Sequence, residues 1–486
     1  MDGPTAVALL NDLYAEVHAR KRVVAEEEAY YRGQTRLRFA TPEWRQYHAA
    51  RYQDFSDNWC GVVANSPAER LGIDGFRLDE DPVLSDTERA LWADWQANDM
   101  EAQASQGLLT SGISSRSYAL VWGESLDDVG DTAARPDEPV VTWEHPAQVT
   151  IGYDPEHRRR KVGGLKTWTD GTTEFATLYT PAEVFKFSRG SVQGGRTTSG
   201  LILPAESSGS LAGAYGGWEP RVGPADSGWP LPNPMGEVPI VEFGNRPMLA
   251  GGPISEIRGT MAMQDAINLL WAYLFTAADF ASMPARVVMG QEMPKIPVLD
   301  EAGQVVGEQD VELSQLAQDR ILWLTGQNTS IGQWDAAKLD VFTGTIEIGV
   351  SHIAAQTRTP PHYLILGRGM VNVNADGMRA AEAGLVRKVG EQQVFYTPPT
   401  RDLFRLIALA RGDVATARAA RSGTVAWRDA ENRSVAQLTD SLQKLRALGF
   451  PFEWIAEQYG LGPTEIARVL AMKEREAAAD PVGVLA

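Results

Sequence analysis

The groups in this 486-residue sequence that could carry chemistry are 63 acidic side chains, six histidines and one cysteine. Two carboxylates facing each other across a bound sugar would make a hydrolase, and the 14 tryptophans could serve as stacking platforms for it. Most of those tryptophans, however, stand in stretches patterned like core, as in Leu91-Trp92 and Leu270-Trp271. The six histidines are far apart in sequence; His145 before Pro146 and His362 after Pro361 read as structural or surface residues rather than ligands. Cys60, beside Trp59 and Val62, reads as a small buried hydrophobe, and a lone cysteine excludes an internal disulfide or a multi-cysteine zinc site. None of the nine lysines follows a glycine, which excludes a phosphate-cradling P-loop, and G-x-G-x-x-G, G-x-S-x-G and H-E-x-x-H are absent. No catalytic residue, metal ligand or cofactor-binding residue is assigned.

The side chains must be held by a chain long enough for about three domains at ~150 residues each. With 43% hydrophobic and 22% charged residues it has the composition of a folded, water-soluble protein. Its 45 Lys and Arg against 63 Asp and Glu give a net charge of −18, the opposite of the balance that grips nucleic acid through phosphate neutralisation. Residues Met1 to Leu13 show no secretory pattern, and the longest apolar run, Leu269 to Phe275, is too short to span a bilayer. Together with the lone cysteine this predicts a soluble protein of a reducing, cytoplasmic compartment.

Hydrophobic periodicity predicts helices over Pro4 to Arg32, Pro42 to Ala64 and Ser85 to Gly107. Strands are predicted at Ser117 to Trp122, Val140 to Trp143, Gly164 to Trp168, Phe175 to Tyr179 and Val184 to Phe187. Ser188 to Pro234, crowded with Gly, Ser and Pro, reads as a long surface loop. Order resumes at Val238 to Phe243. A long helix follows from Ser255 to Ser282, then strands at Ala285 to Gly290 and Ile321 to Thr325 on either side of an acidic stretch. Helices are expected from Leu339 to Gln356, and from Met378 to Phe395, broken at Pro398-Pro399 and resuming to Ala410. A Gly- and Asn-rich loop spans Gly367 to Gly377, and Ala430 to Ala479 is helical with breaks at Gly449 to Pro451 and Gly460 to Pro463. The fold class is α+β, mainly helical with small sheets.

The order of several short pieces resembles the portal proteins of tailed bacteriophages, the gene-product-six-like family. They are Tyr30-Tyr-Arg-Gly33, Asn58-Trp-Cys60, Glu69-Arg-Leu71, Gly75-Phe-Arg77, Gly236-Glu-Val-Pro-Ile240, Asn245-Arg-Pro247, Gln264-Asp-Ala-Ile-Asn268, Thr357-Arg-Thr-Pro-Pro-His362 and Val425-Ala-Trp-Arg-Asp429. Each is weak alone; their joint order is not.

The resemblance implies a non-enzymatic dodecameric ring at a capsid vertex, through which double-stranded DNA is packaged and ejected, in the virion and, during assembly, in the host cytoplasm. It implies a wing at 1–252 carrying the 188–234 insertion, a stem helix at 253–283, a clip at 284–338, a second stem helix at 339–357, a wing return at 358–424 and a helical crown at 425–486. A tunnel loop near 366–377 would offer Arg368, Met370, Val371, Asn372 and Asn374 to DNA in weak, sequence-independent contact. Glu308, Asp310 and Glu312 would dock partners at the clip. Those partners are terminase, a head-completion or adaptor protein, and the major capsid or scaffolding protein, with no membrane and no cofactor. The alternatives are the carboxylate hydrolase and a head-tail adaptor or minor capsid protein without a channel.

Overall fold

The computed structural model describes residues 1–34, 39–52, 55–79, 84–123, 138–190, 217–222, 228–282, 286–289, 295–299, 304–310, 321–324, 330–333, 338–364, 375–431 and 435–479. Helix α1 (Gly3–Tyr31) opens where Asp2 accepts a hydrogen bond from the Thr5 amide at 3.0 Å. Its buried residues Ala6, Val7, Leu10, Leu13 and Val17 recur at helical spacing and make one apolar face. That face packs on a six-stranded sheet built from β4 (Val149–Tyr153), β5 (Lys161–Thr169), β6 (Thr173–Tyr179), β7 (Glu183–Gly190), β8 (Glu219–Pro220) and β9 (Leu231–Pro232), with β8 and β9 both paired to β7. The approach is close because β5 offers a glycine there: a Cβ at Gly163 would sit 2.8 Å from the Leu9 side chain.

The predicted helix over 42–64 is two helices, α2 (Pro42–Tyr52) and α3 (Trp59–Ala68). Asn58 starts the second by accepting from the Gly61 amide at 3.1 Å. The helix predicted over 85–107 is likewise two, α4 (Asp86–Ala97) and α5 (Met100–Ser114). It breaks because Asn98 bonds outward to strand β3 (Pro139–Glu144), donating to Pro139 O at 2.9 Å and accepting from Val141 N at 2.8 Å, while Asp99 takes a positive φ of 51°.

Strand β2 (Arg116–Gly123) is the centre of a three-stranded antiparallel sheet between β3 and β10 (Ile240–Gly244). Strand β1 (Ile73–Arg77), which periodicity does not reveal, pairs antiparallel with β16 (Thr424–Trp427), so segments far apart in sequence meet. The reading of 188–234 as a surface loop is corrected at its described edges: Trp218 is fully buried among Phe185, Phe187 and Leu178, and β8 and β9 extend the sheet. Residues 191–216 and 223–227 of that stretch lie outside the described residues.

Helix α6 (Met261–Ser282) runs for about 33 Å at ~1.5 Å per residue. The chain then forms β11 (Arg286–Met289), β12 (Lys295–Leu299), β13 (Val305–Asp310), β14 (Ile321–Leu324) and β15 (Ser330–Gln333), and returns through α7 (Asp340–Thr357). Strand β11 lies between β14, parallel, and β15, antiparallel; β12 and β13 form a separate hairpin. A one-turn helix α8 (Pro361–Leu364) precedes α9 (Ala375–Ala410).

Helix α9 corrects a second expectation, because it passes through Pro398 and Pro399 without ending. Two prolines in a helix interior cost several kcal/mol, about 3 each. Leu403, Phe404, Leu406 and Ile407, all fully buried in the largest apolar cluster, outweigh that loss. Phe404 stacks between Phe76 of β1 and Trp95 of α4, at ring distances of 4.2 and 5.2 Å. Beyond α10 (Val414–Ala420) and β16, the C-terminal part is α11 (Val435–Ala447), α12 (Phe452–Tyr459) and α13 (Pro463–Ala479), with breaks where Gly449 and Gly460 take positive φ.

Candidate functional site

Three of the quoted sequence pieces, Tyr30 to Gly33, Asn58 to Cys60 and Gln264 to Asn268, meet at the root of the α6 and α7 helices. Gln264 and Asn268 lie one turn apart on α6, fully buried, and face the 55–58 segment. Gln264 Oε1 accepts from the Trp59 amide at 2.6 Å and the Cys60 amide at 3.3 Å, and its Nε2 donates to Asp57 O. Asn268 Oδ1 accepts from the Asp57 amide at 2.9 Å. Asp57 in turn accepts from the indoles of Trp59 and Trp271 at 3.1 and 2.9 Å. Burial raises the Asp57 carboxyl above its ordinary range, against the pull of those two donors. Tyr30 of α1 donates to Asp265 at 2.6 Å. Four backbone groups of residues 57–60, at the N-terminal end of α3, thereby find partners on α6.

A second buried network sits on the other side of the root. Glu256, just ahead of α6, pairs with Lys388 of α9 at 2.6 Å and with Arg246 at 3.0 Å. It also accepts from Asn245 at 2.9 Å and Gln392 at 3.2 Å. Tyr396 donates to Ser111 of α5 at 3.1 Å. Burial holds the Lys388 ammonium below its usual range, opposed by the Glu256 charge. Next to it, Glu27 of α1 is buried beside Arg258, 2.9 Å away, and burial pushes its carboxyl up to about 7.

Above the root, α7 packs one face on α6: Ile346, Val350, Ile353, Ala354 and Thr357 are buried, and Ile267 of α6 lies against Gly349. The opposite face is open to solvent, with Val341 and Ile348 exposed by 64% and 60%. After α7 the chain turns at Arg358, φ 55°, and Arg70, in the turn just past the end of α3, clamps the next segment, donating to Tyr363 at 2.8 Å and to Ala430 O at 2.9 Å and pairing with Glu382 at 3.2 Å. The two flanks of residues 365–374 are held by these contacts.

Arg368, Met370, Val371, Asn372 and Asn374 lie outside the described residues, as does Glu312. Glu308 and Asp310 fall on β13, in register with Pro297 and Lys295 of β12.

Cys60 is buried, with its thiol pushed up to about 11 by burial and 3.6 Å from Thr260 Oγ1. Among the described residues no three His, Cys, Asp or Glu side chains are grouped to hold a metal, and no helix is long and apolar enough to cross a membrane. Trp95 and Trp218 are core, not platforms. Sequence reasoning missed Lys388 and Glu256, whose roles come from partners on other elements, while Arg70 lay within the piece Glu69-Arg-Leu71 without its contacts being legible. Gln264 and Asn268 were within a quoted piece, though their contacts were not legible.

Comparison with known proteins places these features. Residues 13–478 match the family described as phage portal protein, SPP1 Gp6-like. The chain is 27% identical over 430 residues to the portal protein of Mycobacterium phage D29, a match covering 86% of this chain and 78% of that protein. It is 26% identical over 428 residues to the portal protein of Mycobacterium phage L5, covering 85% and 76%.

Proposed function

This chain belongs to the SPP1 Gp6-like family of phage portal proteins, structural components of the virion's capsid vertex without enzymatic activity, and from that premise we propose a ring-shaped DNA conduit. In this reading twelve copies stand around a channel with α6 and α7 as the stem. Residues 1–252 form the wing, 284–338 the clip, 358–424 the wing return and 425–486 the crown.

The observation that carries the reading is the α6 and α7 pair, rooted in buried polar contacts and leading to separate small sheets between the two helices. One such helix per subunit at ~10 Å spacing gives a circumference of roughly 120 Å and about 38 Å between opposite axes. Subtracting one helix diameter of ~10 Å leaves a bore of roughly 28 Å. A DNA duplex, on the order of 20 Å wide, passes with room for water and ions.

The charge supports transport over adhesion. Each chain carries −18, so a passing duplex displaces few counterions and gains little binding energy from the wall. Arg368, Met370, Val371, Asn372 and Asn374 would meet the duplex as a tunnel loop without reading its sequence. Glu308, Asp310 and Glu312 would face terminase during packaging and a head-completion or adaptor protein afterwards, while the wing meets the major capsid or scaffolding protein. Assembly would take place in the host cytoplasm.

Electron microscopy of the purified chain tests the proposal. Rings with a central opening wider than a DNA duplex are expected; monomers alone under assembly conditions, or a ring closed at its centre, would end it.

A further inference from the structure

Subunits that each carry −18 repel one another, so a ring of them requires local opposite charge where copies touch. Among the described residues the one run of three consecutive exposed cations is Arg158-Arg159-Arg160, at the tip of the hairpin joining β4 to β5. His157 beside it is 71% exposed and Arg160 74%. The tip is ordered. Asp154 accepts from the amides of Glu156 and His157 at 2.9 and 3.3 Å, and its own amide donates to Arg160 O at 2.9 Å.

A second feature abuts it. Arg158 donates to the carbonyl of Leu249 at 3.3 Å, joining the tip to the loop between β10 and α6. Leu249 is 97% exposed and Met248 56%. Arginine beside exposed Met and Leu is the composition of a protein contact. Phosphate recognition would use the cations and leave both apolar side chains without a role.

We infer that the Arg158 to Arg160 tip and the Met248-Leu249 loop form one half of a head-to-tail contact with a second copy of this chain. The inference rests on the ring reading above and names the surface that closes it. The occupant is a second copy because a chain with 63 acids and 45 bases offers an acidic surface to an arginine tip. A head-to-tail contact, unlike a two-fold one, joins unlike patches.

The test uses the full chain with Leu249→Cys, labelled with a maleimide-linked benzophenone; Cys60 is buried with its thiol pushed up to about 11, so the label goes to position 249. Irradiating the purified protein should give covalent dimers and a ladder of higher species on a denaturing gel. Arg158→Glu, Arg159→Glu and Arg160→Glu together should lower the ring fraction about tenfold at moderate salt. These side chains are exposed, so circular dichroism should stay unchanged.

Failure is separable from failure of the ring reading. If the unaltered chain never forms rings, that reading falls and this inference with it. If rings form, no crosslink joins copies at 249 and the charge-reversed chain assembles equally well, only this inference falls. Charge-reversed rings that assemble normally but retain less DNA would make the tip a phosphate contact and also overturn it.

Discussion

Lys388 Nζ lies 2.6 Å from Glu256 Oε2 with both side chains almost sealed from solvent, and it also donates to Thr357 O at 3.0 Å. One ammonium thus ties α9 to the start of α6 and the end of α7. Lys388→Met would leave Glu256 with Arg246, Asn245 and Gln392 but remove its closest counter-charge. Unpairing a buried ion costs about 3–5 kcal/mol. Denaturant titration of Lys388→Met should show a loss of that order, and the double variant with Glu256→Gln should recover part of it. A single-variant loss below ~0.5 kcal/mol, the size of an ordinary surface change, would contradict this account.

Gln264 satisfies three backbone groups of the 57–60 segment from a fully buried position. Gln264→Ala removes their shared partner, leaving the Trp59 amide and Asp57 O only their mutual bond at 3.2 Å, at about 1–3 kcal/mol for each group left unpaired if water cannot enter. The expected result is a fall in thermal midpoint together with faster hydrogen exchange at the Trp59 and Cys60 amides. Exchange at those two amides unchanged from the parent would show that they are held by something else.

Glu27 gives a pH dependence with a definite sign. Its folded carboxyl titrates near 7 against an ordinary value of 4.5, raised by burial in spite of Arg258. The folded state therefore holds a proton that the unfolded state has released between those two values, and stability falls as pH rises through this window. The separation corresponds to roughly 3 kcal/mol at ~1.4 kcal/mol per unit. Measured from pH 5 to pH 8, the parent should lose stability relative to Glu27→Gln by an amount of that order. Parallel pH profiles for the two proteins would dispose of the assignment.

Local pattern carried much of this fold and little of its wiring. The apolar spacing of α1, the strands at Ser117 to Trp122, Val140 to Trp143 and Gly164 to Phe187, though not β4, and the glycine breaks of the C-terminal helices were legible because each signal lies within one element. The split at Asn98 was not, since its partners are on β3. Proline statistics misled at Pro398, where packing of Phe404 between Phe76 and Trp95 overrides a local preference. The same limit governs the site: the pairing of Lys388 with Glu256, and of β1 with β16, leaves no mark in either partner's neighbourhood. Buried polar pairs obey geometry rather than period.

Residues 365–374, which join α8 to α9 in sequence, offer a test that separates assembly from transport. Arg70 clamps their flanks through Tyr363 and Glu382, so shortening the segment leaves both anchors in place. Deleting Val371 to Ala375 should leave rings intact by electron microscopy while packaging or retention of DNA drops. Packaging at the parental level would remove Arg368, Met370, Val371, Asn372 and Asn374 from any role in the channel.

The hairpin of β12 and β13 can be tested in the opposite sense. Glu308 and Asp310 stand in register with Pro297 and Lys295 on a two-stranded element with no further strand paired to it among the described residues, and Glu312 follows in the sequence. Charges at a partner-facing rim act mainly on association rate and on its salt dependence. Reversing all three to lysine should therefore slow terminase binding, with the deficit shrinking as salt rises, and leave ring assembly near normal. If the reversed rings bind terminase at the parental rate in low salt, these carboxylates do not face it. If instead the rings themselves fail to form, the hairpin belongs to a contact between subunits and the docking role passes to another surface.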